Sequence, residues 1–150
     1  MFNRRSLFAL AAALPGAGLV FKVASSAKAA SPAAKQRVAY HVSEVEKVEF
    51  VLSNIKNHIA GVGGPDNVEV VLVAHGPALK ALHARDGRPQ AIEALNGLLK
   101  QGVLFNACGN TLKAFKYELT DLPAGTIRVD QGGVVRLTEL QQQGFAYLRP

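Results

Sequence analysis

Seven residues, Val68-Glu69-Val70-Val71-Leu72-Val73-Ala74, form a nearly unbroken apolar run that stops at His75-Gly76-Pro77. A run this short and this rich in β-branched residues predicts a strand covered on both faces, the pattern of a parallel sheet. Parallel neighbours cannot be joined by a tight hairpin; they need crossover segments, usually helices. The segments on either side meet that demand. Arg37–Val42 reads as a first strand, followed by Ser43-x-x-Glu46, a capping-box pattern. Val45, Val48, Leu52, Ile55 and Ile59 then recur at three- and four-residue steps, one face of a helix that Gly61, Gly63, Gly64 and Pro65 end.

Beyond the central run, Ala78–Ala84 predicts a short helical piece, and Asp86-Gly87-Arg88-Pro89 a turn. Ile92, Leu95, Leu98 and Leu99 mark a helix that stops near Gly102, and Val103–Ala107 is a third strand. Asn110 is the expected N-cap of a helix reaching Leu119. Leu122–Gly125 turns into a strand at Thr126–Val129, Val134–Gln143 gives a last helix, and Phe145–Leu148 a terminal strand. Strands alternating with helices predict an α/β domain with an open, mainly parallel sheet of about five strands.

The first 29 residues read differently. Arg4-Arg5-Ser6-Leu7-Phe8 opens a weakly apolar stretch, no acidic residue precedes Glu44, and Ala27-Lys28-Ala29 supplies small residues for cleavage after Ala29. This is the pattern of a signal peptide; the paired arginines match the twin-arginine type, with a general secretory signal as the alternative. Leu7–Phe21 is too short for a permanent membrane span and is interrupted by Pro15, Gly16 and Gly18. The expected organisation is a signal at 1–29, a linker at 30–35 and one domain at 36–150, exported to a bacterial periplasm. The full chain carries +6, from 17 basic and 11 acidic residues. Without Arg4, Arg5, Lys22 and Lys28 it keeps 13 basic against 11 acidic residues, or +2. The basic balance thus comes largely from the leader, and no basic stripe interleaved with aromatics points to nucleic acid.

In open α/β sheets, ligands bind outside the carboxyl ends of the strands. His41, His75 and Cys108 follow the first, second and third strands there, and Cys108 is the only cysteine. A thiol beside the unpaired N–H groups of a helix start is biased toward the nucleophilic thiolate, and a neutral imidazole such as His75 could take its proton. His58 and His83 read as helix-surface residues. The alternative for Cys108 is a small buried hydrophobe. No close-spaced ligand pair such as Cys-x-x-Cys accompanies His41, His75 and Cys108, so neither a metal nor another cofactor is expected.

Three segments together carry a resemblance: Val71–Leu79 with its His75-Gly76-Pro77, Gly102–Leu112 with Cys108-Gly109-Asn110-Thr111-Leu112, and Leu137–Pro150 ending Tyr147-Leu148-Arg149-Pro150. Across most of residues 36–150 the chain resembles the DsrE/DsrF-like family, the intracellular sulfur oxidation group, and in particular its single-domain members. The resemblance implies a three-layer α/β/α domain with a five-stranded parallel sheet, assembled as trimers or hexamers. It also implies sulfur trafficking, with Cys108 holding a persulfide between a sulfur donor and an acceptor. His75 and Asn110 are the neighbours expected to assist. The family's relay proteins are cytoplasmic, so an exported member would need a different donor and acceptor. A single cysteine leaves no resolving thiol for an intramolecular disulfide cycle. The alternative reading is a non-enzymatic module of the same fold that binds a small ligand or assembles into oligomers.

Overall fold

The computed structural model describes residues 35–150, so the leader expected at 1–29 and most of the linker lie outside the described residues. Five strands form one sheet: β1 (Gln36–Val42), β2 (Val68–Ala74), β3 (Leu104–Cys108), β4 (Ile127–Val129) and β5 (Ala146–Leu148). Their spatial order is β4-β3-β2-β1-β5, and every pairing is parallel. The sheet is therefore fully rather than mainly parallel, and each connection is a crossover.

The helices are α1 (Val48–Gly61), α2 (Ala78–Ala81), α3 (Pro89–Leu99), α4 (Gly109–Phe115) and α5 (Gly133–Gln142). Side chains alternate across the pleat, and the two faces are covered unequally. Val38, Tyr40, Val42, Val70, Leu72, Ala74, Phe105 and Ala107 enter the larger core, with Leu52, Ile55 and Ile59 of α1 and Leu95 and Leu98 of α3. Each fully buried aliphatic or aromatic side chain there contributes about 1.5–3 kcal/mol relative to exposure. On the other face Ala39, Val71 and Val73 meet Leu137 and Leu140 of α5 and Phe145. Among the described residues α5 is the helix packed on this second face, and its amino end lies over the carboxyl edge of β2 and β3.

Local signals held unevenly. The expected capping box does not form: Ser43 Oγ donates to the neighbouring Glu44 carboxylate at 2.9 Å, and a 3-10 turn at Val45–Lys47 leads into α1. Asn110 is not the N-cap of α4. Cys108 takes that position, because β3 passes into α4 with no intervening loop, and α4 ends at Phe115. His83 is not on a helix surface. It follows the short α2, is 1% exposed, and its ring lies 4.3 Å from that of Tyr117. His58, half-buried on α1, meets Tyr40 Oη at 2.9 Å and Gln36 at 2.9 Å, tying that helix to β1. No helix among the described residues is long and apolar enough to cross a membrane.

Candidate functional site at the carboxyl edge of the sheet

The pairing register brings two of the expected residues side by side. Val73 pairs with Asn106 and Ala74 with Ala107, so His75 and Cys108 stand one step further along neighbouring strands. The His75 N–H continues the ladder to the Val42 carbonyl at 3.2 Å. By alternation, His41, His75 and Cys108 share the face that α5 covers. Gly133, the first residue of α5, sits over His75 and Cys108. A Cβ at Gly133 would lie 3.3 Å from His75 Cβ and 3.4 Å from Cys108 Cβ, so only hydrogen fits comfortably.

Cys108 is 6% exposed. Burial alone raises a thiol pKa, but here the donors around the sulfur outweigh it. The Gly133 N–H, the Thr111 hydroxyl and the N–H groups of Thr111 and Asn110 bring the thiol below its ordinary value. The donors come from the first turns of two helices, α4 in sequence and α5 across space. Thr111 Oγ1 accepts the Gly76 N–H at 2.9 Å, which leaves the hydroxyl proton free to point at sulfur. Asn110 thus acts through its backbone. Its side chain lies against Gly132, whose φ of +97° favours glycine and where a Cβ would come 2.8 Å from Asn110 Nδ2 and displace that amide.

His75 is beside the thiol but turns its ring toward His41. Their Nε2 atoms are 2.8 Å apart, and His41 Nδ1 meets Tyr147 Oη at 2.7 Å. Neither imidazole is among the groups that shift the thiol. Burial, then His75 and Arg149, push His41 down to about 4; burial and Arg149 lower His75 as well. Both rings are therefore neutral at pH 7. Arg149 closes the outer rim by bonding Ser43 Oγ at 3.0 Å and pairing with the Glu44 carboxylate.

Sequence reasoning placed Cys108, His75 and His41 at this edge and missed Gly133, Thr111, Tyr147 and Arg149. The Gly132-Gly133 pair before a periodic helix was the one available signal for the first of these. Among the described residues no cluster of three His, Cys, Asp or Glu side chains could hold a metal ion. A shallow groove between α1 and α3, lined in part by Ser53, Lys56, Glu93 and Gly97, lies on the opposite face from Cys108.

No curated protein matches the chain. Among solved structures it is similar to MTH1491, a protein of unknown function from Methanobacterium thermoautotrophicum. That likeness has 32% identity and a TM-score of 0.66, over 77% of this chain and 99% of that one. The ychN protein of E. coli shares the fold at 14% identity and a TM-score of 0.57, again over 77% and 99%. The model of the DsrE/DsrF-like family matches residues 19–150. With that match spanning nearly the whole chain, and with the parallel sheet it requires in place, the chain belongs to the DsrE/DsrF-like family.

Proposed function

We propose that the protein is a sulfur carrier that holds a persulfide on Cys108. The DsrE/DsrF-like family is associated with sulfur relay. The observation that carries the reading for this chain is the set of donors converging on one buried thiol, strong enough to lower its pKa against burial. A structural cysteine needs no such donors; a thiolate nucleophile does.

The chemistry is a pair of displacements. The Cys108 thiolate attacks the sulfane sulfur of an anionic donor, a persulfide, polysulfide or thiosulfate. The new S–S bond forms as the old one breaks, and the donor leaves as a thiolate, a shorter polysulfide or sulfite. Negative charge passes to the outer sulfur of Cys108–S–S⁻. An acceptor thiolate then attacks that outer sulfur, and Cys108 departs as the thiolate that the same donors stabilise. No external oxidant is consumed, and no second cysteine is needed. Transfer between partners makes the protein a carrier with sulfurtransferase-like chemistry.

The same proposal puts the carrier in a periplasm, exported by the twin-arginine leader read at residues 1–29, and assembled as a trimer or hexamer. Exposed Val134 and Val135 at the start of α5 and Ile127 on β4 support an assembly surface close to the site. The burial of Cys108 favours a second reading, a non-enzymatic binding or assembly module in which the thiol is structural. Intact mass after incubation with thiosulfate or polysulfide separates the two. A carrier gains whole sulfur atoms that a reductant removes, and Cys108→Ser gains none. Unchanged mass in the wild-type protein, or equal loading in Cys108→Ser, contradicts the carrier reading.

A further inference from the structure

Gly132 and Gly133, at the start of α5, have little conformational stiffness of their own. Gly132 has φ +97°, and a Cβ on Gly133 would press on His75 and Cys108 at 3.3 and 3.4 Å. Yet the Gly133 N–H meets one buried sulfur, so its position has to be fixed from elsewhere. One helical turn further, Arg136 Nε donates to Asn106 Oδ1 at 2.9 Å. Asn106 lies on β3 two residues before Cys108 and on the same face, between Val73 of β2 and Ile127 of β4. β3 and α5 are thus joined at two rungs, Cys108 with Gly133 and Asn106 with Arg136, about 6.6 Å apart along the strand.

Asn106 is 2% exposed, on a face where Val71 and Val73 meet Leu137 and Leu140 of α5. An apolar residue would fill that position without the cost of burying an amide. What an apolar residue lacks is direction. Leucine packs over a range of helix heights, whereas a charge-assisted hydrogen bond fixes one. The chain of contacts continues outward: Arg136 Nη1 meets Glu139 Oε2 at 3.4 Å, and Gln131 Nε2 donates to the same oxygen at 3.0 Å. Gln131 belongs to the segment between β4 and α5, immediately before Gly132. The glycine pair is therefore held on both sides, by α5 docked on β3 and by Gln131 docked on α5.

We propose that Arg136 is a positioning residue for sulfur transfer: through Asn106 it holds α5 at the height that presents the Gly133 N–H to the Cys108 sulfur. This deepens the carrier reading and rests on it for the identity of the reaction. Arg136 is not among the groups that shift the thiol, so it acts through the Gly133 N–H rather than through its charge. Without the Asn106 bond, α5 is free to slide along β3 and away from it. The Gly133 N–H then misses the sulfur in part of the molecules, and the thiolate loses one of its donors there. Attack on sulfane sulfur slows because less thiolate is present. Departure of Cys108 from its persulfide slows because a thiolate with fewer donors is a poorer leaving group.

The test uses Asn106→Leu, which fills the strand position and leaves every charge in place, and Arg136→Met. Three readouts are taken on each purified protein: the thiol pKa from thiolate absorbance, the movement of the Gly133 amide resonance as the thiol titrates, and the rate of sulfur loading from polysulfide. A hydrogen bond to a charged group is worth about 1–2 pKa units, so its partial loss should raise the thiol pKa by about half a unit or more in both variants. Loading below the thiol pKa should fall about threefold, and the Gly133 resonance should move less than in the wild type. In Arg136→Met the rise must persist at high salt, which screens a lost charge but not a displaced helix. A wild-type pKa and Gly133 response in Asn106→Leu overturn the positioning role whatever the urea midpoint does, and so does a rise in Arg136→Met that salt abolishes. Either result beside normal wild-type loading leaves the carrier intact. Absent wild-type loading with raised pKa values in the variants overturns the carrier and keeps the positioning role. If Asn106→Leu fails to fold, Arg136→Met, at a side chain 24% exposed, decides through its salt series.

Discussion

Thr111→Val isolates the side-chain donor from the backbone donors that hold the Cys108 thiolate. Valine keeps the branched shape of threonine and removes one hydroxyl. That hydroxyl has two roles: it donates toward sulfur, and it accepts the Gly76 N–H at 2.9 Å. A hydrogen bond to a charged group is worth about 1.5–3 kcal/mol net. At 1.36 kcal/mol per unit, losing it raises the thiol pKa by about 1–2 units. The abandoned Gly76 N–H sits at a half-buried position, so its loss of a partner costs about 1 kcal/mol of stability. The ultraviolet absorbance of the thiolate, followed against pH, gives the pKa without a reagent having to reach the buried sulfur. Urea unfolding gives the stability. Thr111→Ser keeps the hydroxyl and should restore the wild-type pKa. A Thr111→Val thiol that titrates with the wild type while losing stability refutes the reasoning, because the hydroxyl would then serve Gly76 alone.

Two further outcomes follow from the same geometry and a third from the proposed leader. Gly133→Ala should fold, since alanine suits a first helical turn. Its Cβ, at 3.3 Å from His75 Cβ and 3.4 Å from Cys108 Cβ, must push α5 outward and weaken the Gly133 N–H contact to sulfur. A thiol pKa equal to or below the wild type in the same titration contradicts this. Stability should fall with acid in a defined window: His41 has its folded pKa near 4 against about 6.5 unfolded, so below pH 6.5 the unfolded chain binds more protons. The loss has a limiting slope of about 1.4 kcal/mol per pH unit per histidine until the folded pKa is reached. Urea midpoints between pH 7 and 5 should drop in the wild type and flatten in His41→Gln; parallel curves argue against buried neutral rings. Cell fractionation should find the protein in the periplasm and, after Arg4→Lys with Arg5→Lys, retained in the cytoplasm with its leader; unaltered export of that variant rules out the twin-arginine route.

The fold was legible where pattern and tertiary demand agree. The β2 run can be satisfied only by neighbours on both edges and layers on both faces, and Leu52, Ile55 and Ile59 occupy the core as their spacing predicts. Boundaries failed where a local signal met a competing partner. Ser43 is taken by Glu44 and cannot cap α1, and the direct passage from β3 into α4 gives the N-cap position to Cys108 rather than Asn110. His83 was misread because helical spacing over Ala78–Ala84 ignores that α2 stops at Ala81, after which the ring turns in against Tyr117.

The site was half legible for a related reason. Strand ends announce themselves in sequence, so His41, His75 and Cys108 were found. Gly133 and Tyr147 reach the same edge across 25 and 39 residues of chain from Cys108, brought there by the α5 crossover and the placement of β5 beside β1. Contacts of that kind are set by topology, not by local pattern. Thr111 was overlooked although it lies three residues from the thiol, because its hydroxyl gains meaning only from the Gly76 N–H that holds it.

The most direct test of the central claim is the state of Cys108 in the protein recovered from its own compartment. Purified without reductant, with free thiols and persulfides blocked at lysis, the protein is digested and the peptide containing Cys108 is weighed. A carrier predicts a fraction of that peptide bearing one or more additional sulfur atoms, removable by reductant and rising when cells are fed thiosulfate. A Cys108 peptide that never carries extra sulfur under either condition contradicts the account.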